Sequence, residues 1–368
     1  MKISFNILNG QSAEEKKDIL LAVRRVFESG HYILGPEVKK FEAAFAQYIG
    51  TKRGIGVANG LEALQISLMA LGIGPGDEVI TTSLSAVATA LAIKAVGARV
   101  VFTDIDDFYH LNAQEIEENI TPKTKAIILV HLYGQSANLD TIIKIAQKHN
   151  ISVIEDCAQA HGVTYKNKKV GSFGVFGCFS FYPTKNLGGI GDGGLITTDD
   201  DILAEKCRMI RNYGQKNRYE HTVYGINSRL DELQAAILSE RLKYLDQNNA
   251  RRAEIATLYK KGLSGIAELK LPITRENSNH IFHLFVVETE KRDTLQSLLK
   301  DKGVDTLIHY PLPIHRQECF VEYNDLHLPV VEKRVSRILS LPMHPYLKDE
   351  EIAYVCRVIK SFYNQTFF

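Results

Sequence analysis

The sequence lacks an excess of charge of either sign. Its 368 residues include 44 Lys and Arg and 43 Asp and Glu, which gives a formal net charge of +1. This balance argues against a large basic face for nucleic acid and against an acidic tail. Apolar residues make up 45% of the chain and charged residues 24%, as in a folded globular protein. At about 100–200 residues per domain, the length favours two domains.

The chain also lacks a long apolar run. A membrane-spanning helix needs about 20 mostly apolar residues, whereas the most apolar stretch, Leu84–Phe102, contains Lys94 and Arg99. The first residues, Met1–Asn6, contain no continuous apolar segment of the kind that a signal peptide requires. We therefore expect no contact with a membrane and a cytoplasmic location.

Several motifs are missing. No CxxC pair occurs, which excludes a zinc ribbon and an iron–sulfur ligand set. The phosphate-binding pattern GxxxxGK[ST] and the metalloprotease pattern HExxH are absent as well. No metal site is therefore predicted. The cysteines are expected to be buried, reduced thiols; they are Cys157, Cys178, Cys207, Cys319 and Cys356.

Helix signals occur near the start of the chain. Ser12–Glu15 has the pattern of a capping box and predicts a helix that runs to about Glu28 and ends at Gly30. Pro36 suits the first position of a second helix, which Gly50 closes.

Beyond this point, short apolar runs alternate with helical patterns, which predicts βαβ units and a mostly parallel sheet buried on both faces. The fold class is therefore α/β. The apolar runs are Glu78–Thr82, Arg99–Asp104, Lys125–His131, Ile151–Glu155 and Gly177–Phe181, and the helical patterns are Leu61–Leu71, Ala86–Val96 and Leu139–Asn150.

The pattern changes near residue 245. One amphipathic stretch runs from Asp231 to about Tyr259, a strand is predicted at His280–Thr289, and a final helix is predicted at Asp349–Tyr363. We expect a large domain over residues 13–245 and a small C-terminal domain over residues 246–368, with residues 1–12 packed against the small domain.

One glycine-rich segment imitates a dinucleotide-binding motif. Gly189–Gly194 matches GxGxxG, but that site requires a preceding strand and a following helix in the first βαβ unit. An extended run, Leu195–Thr198, follows instead. We expect these glycines to provide turns with positive φ and close backbone approach to something bound. A nicotinamide-dependent oxidoreductase is the disfavoured alternative.

Two polar side chains follow predicted buried strands. Asp156 lies at the carboxyl end of one strand, where open parallel sheets bind ligands. Lys185 follows another among small residues, and desolvation there lowers the pKa of an amine and makes it a nucleophile. An imine-forming lysine and an aspartate on a pyridinium nitrogen are the pair that pyridoxal phosphate requires. An ordinary surface lysine is the alternative.

A phosphate-binding position is predicted where Asn59-Gly60-Leu61 opens a helix. Free backbone N–H groups and the helix dipole suit an anion there, and Ser180 supplies a hydroxyl in this interpretation. A plain helix cap is the alternative.

Together these motifs resemble the DegT/DnrJ/EryC1/StrS family of sugar aminotransferases, which are pyridoxal-phosphate enzymes of the aspartate aminotransferase fold (fold type I). The resemblance covers essentially the whole chain and implies a large, mostly parallel-sheet domain with a smaller α+β C-terminal domain. The motifs are YILGPEV at 32–38, GPGDEVI at 74–80, IEDCAQAHG at 154–162, the segment around Lys185, and NSRLDELQAA at 227–236.

The resemblance implies roles for single residues. Lys185 matches the lysine that carries the cofactor as an imine, Asp156 matches the partner of the pyridine nitrogen, and Gln159 matches the residue at the ring's 3-hydroxyl side. The implied phosphate contacts are Gly60, Leu61 and Ser180.

Two further positions concern the surroundings of the cofactor. Asn227 matches an asparagine that reaches the phosphate from the other subunit, which implies a homodimer with shared active sites. Many relatives carry an aromatic residue at position 86 that stacks on the pyridine ring. In this sequence Ala86 and Leu84 offer only apolar cover.

Details of the sequence resemble the C3 aminotransferases of dTDP-3-keto-6-deoxyhexoses, namely YPTKNLG at 182–188, LIHYP at 307–311 and GDGG at 191–194, where C4 aminotransferases usually have GEGG. By this likeness Tyr182, His309 and Tyr310 line the sugar pocket. Arg218 and Tyr219 would reach the nucleotide diphosphate. A loop packed between the domains is the alternative for His309 and Tyr310.

The resemblance therefore implies transfer of an amino group from L-glutamate to C3 of a dTDP-linked keto sugar, in lipopolysaccharide or O-antigen biosynthesis. The product is dTDP-Fuc3N or dTDP-Qui3N, which differ at sugar C4. Three alternatives stay open. They are amination at C4, a same-fold dehydratase, and a non-catalytic sensor that uses the same pocket.

Overall fold

The computed structural model describes residues 1–364. The helices of this part are α1 (Ala13–Ser29), α2 (Pro36–Ile49), α3 (Gly60–Ala70), α4 (Ala88–Ala95), α5 (Leu139–His149), α6 (Asp201–Ile210), α7 (Glu232–Leu242), α8 (Leu245–Leu263), α9 (Arg292–Asp301), α10 (Pro329–Val335) and α11 (Asp349–Asn364). The strands are β1 (Arg53–Val57), β2 (Glu78–Thr82), β3 (Arg99–Thr103), β4 (Thr124–Val130), β5 (Ser152–Asp156), β6 (Thr164–Tyr165), β7 (Lys168–Lys169), β8 (Phe176–Ser180), β9 (Gly194–Thr198), β10 (Gln215–Asn217), β11 (Glu220–His221), β12 (Phe285–Glu288) and β13 (Ile338–Leu341).

A seven-stranded sheet forms the centre of the molecule, in the order β1-β9-β8-β5-β4-β2-β3. Neighbouring strands from β3 to β8 pair in parallel, whereas β9 runs antiparallel to both β8 and β1. One buried apolar cluster lies between the sheet and α3, α4 and α6, and a second lies between the opposite face and α2, α5 and α7. The predicted α/β class and mostly parallel sheet are confirmed.

The helix ends follow the local signals in the sequence. Ser12 caps α1, because its Oγ accepts a hydrogen bond from the Glu15 N–H at 3.1 Å. Gly30 and Gly50 end α1 and α2 in the left-handed region, with φ of 66° and 88°. Pro36 occupies the first turn of α2, where its missing N–H costs no hydrogen bond.

Several elements differ from the sequence expectation. The stretch from Asp231 to Tyr259 forms two helices, α7 and α8, because α7 packs on the sheet whereas α8 contributes to a separate cluster with α9 and α11. The predicted strand His280–Thr289 is shortened to Phe285–Glu288. Strand β1 was not predicted, since its sequence RGIGV contains two glycines, which weaken a strand signal.

The C-terminal part contains the two-stranded sheet of β12 and β13. Ile3 joins this part, because its N–H donates to Gly303 O at 2.8 Å and its carbonyl accepts from Asp305 N at 3.0 Å. The expectation of buried cysteines is wrong for Cys319, which lies exposed in a short 3-10 segment, whereas the other four are buried. None of the helices in the described part combines the length and hydropathy that a membrane crossing requires.

Candidate active site

The polar residues singled out above lie at one edge of the sheet. Strand β5 ends at Asp156 and β8 ends at Ser180. Strand β1 points the same way as β8, because both pair antiparallel with β9, and it leads through Asn59 into α3. The carboxyl ends of these strands therefore surround one space, the usual ligand position in open α/β sheets.

Asp156 is buried at this edge, with 5% of its surface exposed. Its Oδ2 accepts a hydrogen bond from Thr89 Oγ1 at 2.8 Å, and its Oδ1 accepts one from Ala158 N at 3.1 Å. Burial raises the pKa of this carboxyl although these hydrogen bonds and the nearby Lys185 oppose the shift. A cationic N–H group placed against the carboxylate would stabilise its charged form.

Lys185 lies in the loop after β8, where its N–H donates to Tyr182 O at 2.9 Å. Burial lowers the pKa of the amine to about 8, and the charge of Asp156 opposes that shift. The two side chains are thus close enough to affect each other's protonation. An amine with this pKa is partly neutral near pH 7.5, which suits a nucleophile.

The start of α3 forms a cradle that suits a phosphate. Asn59 caps the helix through a hydrogen bond from Glu62 N to its Oδ1 at 2.9 Å. The N–H groups of Gly60 and Leu61 then have no acceptor within the helix. A Cβ on Gly60 would lie 2.7 Å from Ser180 Cβ, so only glycine fits there. The N–H groups at the helix start and the Ser180 hydroxyl therefore lie side by side in an arrangement that suits an anion.

A hydrogen-bonded chain borders the other side of this space. Gln159 accepts a hydrogen bond from Tyr133 N at 2.8 Å and donates one to Tyr310 OH at 3.1 Å. Tyr133 OH donates to the carbonyl of His309, and His309 Nδ1 lies 2.9 Å from Ser340 Oγ. His309 and Tyr310 are therefore brought to the predicted cofactor residue Gln159, and burial raises the pKa of Tyr310 to about 12.

The segment between β2 and α4 contains Leu84 and Ala86, the two apolar residues that were expected to cover the cofactor ring. Leu84 is fully buried, and Ala86 is partly exposed. The predicted helix from Ala86 begins two residues later, at Ala88. This start places Thr89 in the first turn, where its hydroxyl reaches Asp156. Sequence reasoning missed Thr89 because a threonine in an apolar helix carries no motif of its own.

Four of the predicted site residues are exposed, and in the described residues their side chains form no hydrogen bond with Asp156 or Lys185. Arg218 and Tyr219 lie at the turn between β10 and β11, where Tyr219 is 81% exposed. Tyr182 is 52% exposed. Asn227 forms a backbone bridge with Asn212 and is exposed. Their roles stay predictions, and for Asn227 such a place agrees with a contribution to another subunit.

The glycine-rich segment Gly189–Gly194 is a tight loop that leads into β9 and precedes no helix. The expectation of positive φ is wrong, since none of these glycines lies in the left-handed region. Close approach to the protein's own chain explains them instead. A Cβ on Gly194 would lie 2.3 Å from the carbonyl oxygen of Asn59. The segment thus packs against the start of α3.

One buried group has the spacing of a metal site, namely His131, Glu155 and Cys157. The His131 and Glu155 side chains have protein partners. His131 Nδ1 accepts from Ala137 N at 3.0 Å, and Nε2 lies 3.0 Å from Glu155 Oε2. The Glu155 carboxylate also accepts three backbone N–H groups, those of Gly171, Phe173 and Gly174. The group therefore acts as a hydrogen-bond network that holds the ends of β4 and β5.

Comparison with known proteins places this site in context. Residues 13–360 match the model of the DegT/DnrJ/EryC1/StrS aminotransferase family. A dTDP-3-amino-3,6-dideoxy-alpha-D-galactopyranose transaminase of Aneurinibacillus thermoaerophilus is 48% identical over 94% of this chain and 96% of the relative. A protein of Geobacillus stearothermophilus named pleiotropic regulatory protein is 46% identical over 99% of both chains.

The fold is also that of a solved aminotransferase structure. DesV of S. venezuelae, in complex with a ketimine intermediate, superposes with a TM-score of 0.97 at 42% identity, over 99% of each chain. This likeness confirms the expected aminotransferase fold.

Proposed function

Because the chain belongs to the DegT/DnrJ/EryC1/StrS aminotransferase family, we propose that this sugar aminotransferase transfers an amino group from L-glutamate to C3 of a dTDP-linked 3-keto-6-deoxyhexose. The observation that carries the proposal is the placement of Asp156 and Lys185 at one sheet edge, where each affects the pKa of the other. The choice of sugar is supported by the 48% identity to a dTDP-3-amino-3,6-dideoxyhexose transaminase.

The residues at the sheet edge fit pyridoxal phosphate, the cofactor of this family. When bound, it supplies an electron sink for the carbanion formed at the substrate carbon. Asp156 would accept the ring N–H, and the N–H groups of Gly60 and Leu61 with Ser180 would hold the phosphate. Gln159 would lie at the ring's 3-hydroxyl.

Lys185 would bind the cofactor through Nζ and, once displaced by the amino donor, would move protons. Its pKa of about 8 lets Nζ take the proton from the α-carbon of glutamate and return it at the neighbouring cofactor carbon, since an effective general base has a pKa near the working pH. In the second half of the cycle the same amine moves the proton to sugar C3. Two half-reactions with one shared cofactor make the kinetics ping-pong.

The sugar nucleotide would lie against residues of two subunits in a homodimer. His309 and Tyr310 border Gln159 and would contact the sugar together with Tyr182. Arg218 and Tyr219 would bind the diphosphate, and Asn227 would reach the cofactor phosphate of the other subunit. Because both substrates are intracellular metabolites, we place the enzyme in the cytoplasm, and its product would enter lipopolysaccharide or O-antigen biosynthesis.

The test is incubation of the purified protein with L-glutamate and each of the two dTDP-3-keto-6-deoxyhexoses, with the product identified by NMR. The proposal predicts an amine on C3 from one of them, in the galacto (Fuc3N) or gluco (Qui3N) form. UDP-linked 3-keto sugars and dTDP-linked 4-keto sugars form the comparison arms. Faster amination of either comparison substrate would overturn the proposed substrate.

A sensor without catalysis is the second candidate, favoured by the name of the G. stearothermophilus relative. Against it stand the lowered pKa of Lys185 and the intact set of Asp156, Ser180 and Gln159. A dehydratase is disfavoured because Lys185 is present. Cofactor binding without turnover of any keto sugar would support the sensor.

A further inference from the structure

Asn186, the residue after Lys185, forms side-chain hydrogen bonds with two residues that are distant in sequence. Asn186 Nδ2 donates to Asn249 Oδ1 at 2.7 Å, and Asn186 Oδ1 lies 3.0 Å from His283 Nδ1. Asn249 belongs to α8, and His283 lies just before β12. Asn186 thereby connects the loop after β8, which carries Lys185 and is called the lysine loop below, to α8 and to the segment that precedes β12.

Each partner of Asn186 is itself fixed. Asn249 Nδ2 donates to His161 O at 2.8 Å, so Asn249 Oδ1 faces Asn186 as an acceptor. The amide nitrogen of Asn186 must then be the donor and its oxygen the acceptor, which places a hydrogen on His283 Nδ1. The backbone around His283 is held by Arg252, whose Nη1 donates to Phe282 O at 3.2 Å.

A polar cavity of about 60 Å³ lies behind the lysine loop. Lys185 and Asn186 both line it, together with Arg241, Arg252 and Tyr346. A polar cavity of this size has room for water. Removal of the Asn186 side chain would enlarge this space beside the lysine.

We propose that Asn186 is a positioning residue for the aminotransferase reaction: its amide, hydrogen-bonded to both Asn249 and His283, fixes the loop that carries Lys185 and limits the access of water to the amine. The proposal rests on the proposed function, because it gives Lys185 the role of the reactive amine. Asn186 itself touches neither the substrate nor the reacting atoms in this account.

The direction of the effect follows from the groups around Lys185. They are Asp156 at the end of β5, His161 after it, His283 before β12 and His309, with Glu15, Arg241 and Arg252 on the wall of the polar cavity. Burial lowers the pKa of His161 to about 3 and that of His309 to about 4, and it lowers the pKa of His283 well below 6.5. These imidazoles are therefore neutral, so Asp156 and burial set the pKa of the amine. Added water would raise that pKa.

The experiment measures how the rate of imine formation by the apo-protein with pyridoxal phosphate depends on pH, read by absorbance. Asn186→Ala should raise the apparent pKa of Lys185 by about 0.5–1 unit, and near pH 7.5 the rate should fall about threefold to eightfold. His283→Leu should do the same, whereas His283→Gln keeps an N–H donor and should stay near wild type. In turnover, kcat should fall while KM for glutamate changes little.

His280→Gln is the matched control, since His280 is a buried histidine three residues away whose Nδ1 accepts from Phe282 N at 3.0 Å. It should lower the melting temperature without moving the pKa. An unchanged pKa in Asn186→Ala and His283→Leu, or an equal shift in His280→Gln, would overturn the inference. Imine formation requires no sugar, so failure to aminate any keto sugar would contradict the proposed function alone.

Discussion

At the scale of single residues, burial shifts the pKa values of Asp156 and Lys185 in opposite directions. Burial raises the pKa of the carboxyl and lowers the pKa of the amine, and each group opposes the shift of the other. The carboxyl is thereby poised to bind a cation, and the amine is poised to act as a nucleophile and a base near neutral pH.

This coupling predicts the effect of Asp156→Asn, which keeps the shape and removes the charge. The Asp156 charge holds the pKa of Lys185 up against burial, so the pKa should fall below 8 in the variant. The apo-protein should then form an imine at lower pH than wild type, as followed by absorbance. Loss of the carboxylate that would face the cofactor's ring nitrogen should also lower kcat by a factor of about 10²–10³. A rise in the Lys185 pKa would contradict the assigned coupling.

The sequence predicts the positions of Asp156 and Lys185 because each follows a buried strand, which is a local pattern. The side-chain contacts of Asp156, and those of Asn186 beside Lys185, were not predictable. Thr89 is 67 residues from Asp156, and Asn186 is 97 residues from His283. Such pairs meet only after the sheet and α8 are assembled, and no residue near them carries a signal of that contact.

At the scale of elements, the contact between α3 and β8 forms the proposed phosphate cradle. Gly60 begins α3 and Ser180 ends β8, and the two approach so closely that a Cβ on Gly60 has no room. The starts of α1 and α3 and the end of α2 were predictable, since Ser12, Asn59 and Gly50 act within one turn. The break between α7 and α8 was not, because periodicity shows an apolar face but not the cluster on which it packs.

Gly60→Ala tests the cradle. The added Cβ would lie 2.7 Å from Ser180 Cβ, so the helix start must move away from the strand end. We expect a loss of about 1–3 kcal/mol in the free energy of unfolding and about tenfold weaker binding of pyridoxal phosphate. Denaturant unfolding and cofactor titration measure the two effects.

Gly72→Ala is the control, because its Cβ would meet no atom within 4 Å and Gly72 lies beyond the far end of α3. The alanine would strain a backbone that has a positive φ at this position. It should therefore lower the free energy of unfolding without weakening the binding of the cofactor. Equal cofactor affinity in Gly60→Ala and wild type would count against the cradle.

At the scale of the whole molecule, the single chain does not bring every proposed site residue together. Tyr219 and Asn227 are exposed and share no hydrogen bond with the Lys185 region in the described chain. The proposed homodimer, in which each subunit would complete the other's site, would account for this distribution. The α/β class was predictable from alternating patterns, whereas subunit contacts leave no periodic signal.

Mixed dimers test the shared site. Lys185→Ala and Asn227→Asp should each be nearly inactive when expressed alone. When the two variants are coexpressed in equal amounts, about half of the dimers contain one subunit of each kind. In such a mixed dimer one of the two sites combines an unchanged Lys185 with an unchanged Asn227, so about a quarter of the wild-type activity should return. Mixing Lys185→Ala with Asp156→Asn, two residues of the same chain's site, should restore none. Equal recovery in both mixtures would contradict a site shared in this way.

The central claim is that Lys185 carries pyridoxal phosphate as an imine, and borohydride reduction tests it most directly. Reduction traps the cofactor on its lysine, and peptide mass spectrometry then locates the added mass. The added mass should lie on the peptide containing Lys185 and be absent from Lys185→Ala. Cofactor on a different lysine, or none in the wild-type protein, would contradict it.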